Sequence, residues 1–96
     1  MRRDEALAIL KSHKQELIKF DVKSLAIFGS VARDEAGPES DVDILVEFSK
    51  TPSFDGYMEL KFFLEDLLGR SVDLVTRDAL KPRIRPYVEK ELLYVA

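Results

Sequence analysis

Leu25-Ala26-Ile27-Phe28-Gly29-Ser30 and, after ten intervening residues, Asp41-Val42-Asp43-Ile44-Leu45-Val46 fix the architecture of this chain. The first stretch is a short apolar run that ends on Gly-Ser, the pattern of a buried strand leading into a tight turn. Val31 to Asp34 then suits a single helical turn, and Gly37-Pro38-Glu39-Ser40 is a loop. Asp41 to Phe48 forms a second strand with Ile44-Leu45-Val46 as its apolar centre. The connection holds no helix long enough for a crossover, so the two strands are expected to be antiparallel neighbours.

Outward from this pair, Asp4 to Phe20 has helical spacing, with Ala6, Leu7, Ile9, Leu10, Leu17 and Ile18 on one side. Asp4 suits the helix start. Phe54 to Leu68 is a second helix: Tyr57 or Met58, Leu60, Phe63, Leu64 and Leu67 form its apolar face, and Gly69 sits where a cap glycine belongs. Ser71 to Thr76 is a third strand, with Val72, Leu74 and Thr76 on one face and Asp73 and Val75 on the other. Pro82 and Pro86 argue against one continuous helix at the end. A turn near Ala79 to Arg83 and a short helix around Pro86 are expected instead, with Ile84, Tyr87, Val88 and Leu92 inward and Tyr94-Val95 as an edge strand. Helix, strand, strand, helix, strand, helix makes a two-layer α/β domain (α+β in its small mixed sheet), a single domain over residues 1–96.

Composition narrows the function. A net charge of −3 on 96 residues lacks the basic excess of a nucleic-acid binder, so no long nucleic acid is expected, although local basic spots suffice for one nucleotide. Without cysteine, disulfides, thiolate zinc sites and thiol catalysis are excluded. There is no signal peptide, and no apolar run approaches the roughly 20 residues of a membrane span, so a cytoplasmic protein is expected.

The chemistry lies in three aspartates and a glycine turn. Asp41 and Asp43 are two apart on a strand and project from one face. Their mutual repulsion raises a pKa unless a cation offsets it, and Asp43 adjoins an apolar run where an unpaired carboxylate is costly. Asp73 interrupts the third strand; beside the second strand it would join the other two. An all-oxygen set suits magnesium, or manganese in its place, and three carboxylates could hold two ions. At Gly29-Ser30 the glycine lets backbone approach a phosphate, while turn amides and the hydroxyl can donate to it. Arg33, one turn on, adds a candidate cation.

Gly29-Ser30, ten residues, then Asp41-Val42-Asp43 resembles the signature of the DNA polymerase β-like nucleotidyltransferase superfamily. Phe28-Gly29-Ser30-Val31-Ala32-Arg33 and Ser40-Asp41-Val42-Asp43-Ile44-Leu45-Val46 look like its minimal nucleotidyltransferases, the MNT antitoxins that accompany HEPN-domain toxins. Val72-Asp73-Leu74-Val75 is similar to the third acidic strand, and Ala79-Leu80-Lys81-Pro82 through Glu91 to Tyr94 to the family's ending. One departure is Asp34, where the family often has glycine.

The resemblance implies a polymerase β palm-like fold. It implies that Asp41 and Asp43 bind magnesium, and that Asp73 ligates a second ion and helps deprotonate an attacking hydroxyl. Gly29 and Ser30, with Arg33, would hold the phosphates of ATP. It implies transfer of AMP to a tyrosine of a HEPN partner, silencing that toxin. Larger members carry a domain that chooses the acceptor; its absence here suits an acceptor presented by a partner protein. Two other functions fit the same residues: an antitoxin that inhibits by binding alone, and a nucleotidyltransferase acting on a small molecule. Arg70, Arg77 and Lys81 fit a solvated face, His13 a packed position beside Leu10 and Leu17, and Tyr57, Phe62 and Phe63 core or partner contacts.

Overall fold

Alternation along the central strand assigns the two faces of the sheet. In β2 (Val42–Phe48), Val42, Ile44 and Val46 are fully buried in the main core, while Asp43, Leu45 and Glu47 lie on the opposite side. The computed structural model describes residues 1–95. Strand β1 (Val22–Phe28) runs antiparallel to β2, as expected for strands joined by a loop, and places Phe28 opposite Asp43. Strand β3 (Val72–Thr76) lies parallel to β2 and places Asp73 opposite Asp43. The two-residue β4 (Leu93–Tyr94) pairs with β1, giving the order β3-β2-β1-β4.

Parallel pairing of β2 and β3 requires a crossover, which the second long helix supplies. This helix, Phe54–Leu68, is capped at its start by Ser53, whose Oγ accepts from the Gly56 amide at 3.0 Å. It stops at Gly69, which takes the left-handed conformation (φ 65°). Leu60, Leu64 and Leu68, four apart, are buried against the sheet, each contributing roughly 2 kcal/mol. The same core receives Ala6, Leu10 and Leu17 from the N-terminal segment.

That segment is not one helix from Asp4 to Phe20. It forms α1 (Arg3–Lys11) and α2 (Lys14–Lys19), broken at Ser12-His13. In a continuous helix the Ile9 carbonyl would accept the His13 amide. Here Ser12 Oγ donates to it at 2.7 Å and His13 Nδ1 approaches it at 2.8 Å, while the His13 amide bonds to Leu10 instead. The break shifts the phase: Leu17 stays buried but Ile18, expected inward, is exposed. The ring of His13 serves the backbone rather than packing between Leu10 and Leu17.

The remaining helices are short and are numbered in chain order. The turn after β1 is α3 (Gly29–Ala32), the crossover helix is α4, and α5 spans Arg85–Glu91 with Pro86 in its first turn. A 3₁₀ turn at Arg77–Ala79 leads into it. Leu45 forms a second small core with Leu80 and Val88, flanked by Phe28, Val75 and Leu92. Ile84 and Tyr87 do not join it and are exposed, against expectation. Ile84 precedes the first helical residue, and Tyr87 points about 100° from the Val88 stripe. Among the described residues, no helix is long and apolar enough to cross a membrane.

Candidate active site

The carboxylates gather on the face that carries the smaller core. Asp43 is half-buried at the start of β2; its neighbours across the sheet are Phe28 on one side and Asp73 on the other. Asp41 is exposed just before the strand, in a cleft with Ser40, Arg70 and Ser71. Asp73 is exposed on β3. The three expected ligands therefore line one end of two adjacent strands, Asp43 and Asp73 in direct register. They do not converge on one point: among the described residues, no three acidic or imidazole groups are drawn together as a cage.

The Asp43 carboxyl is pushed up to about 6, first by burial, then by the negative charges of Asp73 and Asp41; Arg33 pulls it the other way. A proton shared with Asp73 adds to the rise. The repulsion expected from the sequence is thus present, concentrated on the innermost carboxylate. The donor set is all carboxylate oxygen, the chemistry magnesium prefers, and a cation there would offset this repulsion.

The turn after β1 is pressed against Asp43. Gly29 has φ +72°, and a Cβ built there would fall 2.1 Å from Asp43 Oδ2. Glycine is required for the backbone conformation and again for the space. Ser30 follows, half-exposed at the start of α3. Asp34 closes the turn in the left-handed region (φ 60°), a conformation that favours glycine. Its Oδ1 accepts the Arg3 amide at 3.1 Å, satisfying a first-turn donor of α1 from a distance.

Arg33 is exposed and held by two carboxylates, Glu35 at 3.0 Å and Glu91 at 2.7 Å. Those hydrogen bonds, Glu35 first, raise its already high pKa. Glu91 also accepts the Gly29 amide at 3.1 Å. Nothing in the local sequence marks Glu91 as part of the site, because the contact spans 62 positions.

Most of the other candidates have structural partners. Arg70 donates to the Pro38 carbonyl, and Arg77 donates to the Tyr94 hydroxyl at 2.8 Å. Lys81 is exposed, as is Phe62, while Phe63 packs on Phe20 with ring centroids 5.0 Å apart. Tyr57 donates its hydroxyl to the Leu74 carbonyl; its pKa is raised by burial and then by Asp73. A hollow of about 580 Å³ lies between Phe48, Phe54, Tyr57 and Arg77, at the far ends of β2 and β3 from the carboxylates. It contains none of the three aspartates.

A family model described as a nucleotidyltransferase domain matches residues 7–95. The chain is 52% identical over 89 residues, 91% of each chain, to a Methanocaldococcus jannaschii protein named as a candidate protein adenylyltransferase. It is 46% identical over 93 residues to the protein adenylyltransferase MntA of Thermococcus cleftensis, covering 96% of this chain and 94% of that one. A solved structure described as a candidate minimal nucleotidyltransferase superposes with a TM-score of 0.83 at 34% identity, over 97% of this chain and 95% of the other. A Shewanella oneidensis complex of a tri-AMPylated HEPN toxin with its MNT antitoxin shares the fold, with a TM-score of 0.61 at 20% identity over 91% of this chain and 71% of that one. With the glycine turn beside Asp43 and Asp43 beside Asp73, these matches agree that the chain belongs to the nucleotidyltransferase domain family.

Proposed function

We propose that this nucleotidyltransferase uses magnesium and ATP to transfer AMP to a hydroxyl of a HEPN-domain partner, most simply a tyrosine, and so acts as a cytoplasmic antitoxin. One observation carries the proposal: Asp43 and Asp73 sit side by side in parallel register, with the Gly29 turn packed directly against Asp43. The names of the adenylyltransferase relatives and of the MNT–HEPN complex support the acceptor class.

Asp41, Asp43 and Asp73 would hold the metal. Magnesium bound there would neutralise phosphate charge and increase the acidity of the acceptor hydroxyl. Ser30, through its hydroxyl and the amides of the short turn, donates to the phosphates and orients the α-phosphorus for in-line attack. Asp73, the outermost carboxylate of the opposed pair, accepts the hydroxyl proton as the new oxygen–phosphorus bond forms. The bond to pyrophosphate breaks, and Arg33 would add a cation beside the turn to offset charge on the leaving group.

The test is transfer of label from α-labelled ATP to the purified HEPN partner, with the Asp41→Asn/Asp43→Asn protein as control. Label that depends on the aspartates is the expected result. Toxin neutralisation with unchanged potency by the double variant would instead establish inhibition by binding alone.

A further inference from the structure

We propose that Glu91 is a positioning residue for nucleotide transfer: it holds α3 at both ends and thereby sets the Gly29–Ser30 turn against Asp43. The inference rests on the reading of that turn as the phosphate-binding element.

Helix α3 has only four residues, far too few to be stable alone. Its preceding residue, Phe28, offers no side-chain cap. The cap comes from across the molecule. Glu91 Oε2 accepts the amide of Gly29, the first residue of α3, at 3.1 Å, and Oε1 accepts from the guanidinium of Arg33, the residue after its last, at 2.7 Å. A single carboxylate therefore spans the helical turn, and both of its bonds are charge-assisted.

The carboxylate is itself well anchored. Glu91 ends α5 and is mostly shielded, its side chain 28% exposed. Leu93 and Tyr94, just beyond it, pair with Ile27 and Ala26 of β1, the strand that leads into Gly29. The end of α5 and the start of α3 are thus held by the same strand. With no side chain at Gly29 to separate turn from carboxylate, movement of the turn is transmitted directly to Asp43. Glu91 touches no reacting atom in this arrangement; its effect passes through the turn.

The experiment compares Glu91→Ala and Glu91→Gln in steady-state transfer, together with titration of an ATP analogue carrying a methylene between the α- and β-phosphorus. Glu91→Ala is expected to raise KM for ATP about tenfold, the scale of one lost charge-assisted hydrogen bond, with a smaller change in kcat. Glu91→Gln, which keeps an acceptor for the Gly29 amide, is expected to recover much of the loss. Protein labelled with ¹⁵N-glycine has four such residues, and the Gly29 amide should lose exchange protection in Glu91→Ala but keep it in Glu91→Gln. If Glu91→Ala does not fold, Glu91→Asp, one methylene too short to span both contacts, takes its place. Equal or tighter analogue binding without Glu91 would overturn the proposal, since the carboxylate would then be competing with phosphate. Ser30→Ala separates the two levels of inference. If it leaves KM for ATP unchanged, the phosphate reading of the turn fails and the proposal with it; if it raises KM while the Glu91 variants do not, only the role of Glu91 fails.

Discussion

A Cβ at position 29 would lie 2.1 Å from Oδ2 of Asp43, so the turn after β1 and the innermost carboxylate share space that only glycine leaves open. The backbone makes the same demand, with φ at +72°. Gly29→Ala is therefore expected to cost about 2 kcal/mol or more, from left-handed strain plus displacement of Asp43. Transfer should fall below detection even where the variant is folded. Urea unfolding and the label-transfer assay check the two effects separately.

In the proposed site, Asp43 sets function against stability. Its pKa in the fold, about 6, lies above the ordinary 3.8. The stability linked to its neutral form is complete below the lower value and is lost as pH rises through the upper one. Metal-free protein should thus be less stable at pH 7.5 than near pH 5. Asp43→Asn removes the charge, so it is expected to melt higher than the parent at pH 7.5, by a few degrees once solvent screening is allowed for. The difference should close toward pH 4, and transfer should be lost throughout. Thermal melts in chelator across this range provide the check.

Bound magnesium and nucleotide should reverse that penalty. ATP with magnesium at about a hundredfold excess over Kd is expected to stabilise the chain by roughly 2.7 kcal/mol. ATP with chelator should stabilise far less and support no transfer. In the Asp41→Asn/Asp43→Asn protein the magnesium-dependent shift should vanish. A full shift in that variant would place the ligand elsewhere.

Asp34 combines left-handed strain with a distant contact, its Oδ1 on the Arg3 amide. Asp34→Ala keeps the strain and loses the contact, so a loss of about 1–2 kcal/mol is expected. Asp34→Gly loses the contact but relieves the strain, and should stay within about 0.5 kcal/mol of the parent. Chemical denaturation of both variants tests this ordering. Equal destabilisation by alanine and glycine would show that the contact to Arg3 dominates.

The sequence by itself determined the elements whose signals are local. The apolar run into Gly29, the alternation after Asp41, and the helix from Phe54 to its cap glycine Gly69 each carry their own start, period and stop. Asp41, Asp43 and Asp73 stood out as a set for a related reason: a carboxylate in or beside an apolar strand is costly without a partner. The break at Ser12-His13 was not legible, because helical spacing continues through it and the outcome depends on side chains competing for the Ile9 carbonyl. The exposure of Ile84 and Tyr87 was likewise hidden, since it depends on where α5 begins and on which face meets Leu45 and Leu80. Only the tertiary structure brought Asp73 into register with Asp43, through the parallel crossover of α4. It alone carried Glu91 across the chain to Gly29 and Arg33. Periodicity and turn chemistry act over a few residues and leave their mark in the sequence; the pairing of distant segments depends on the whole core and leaves none.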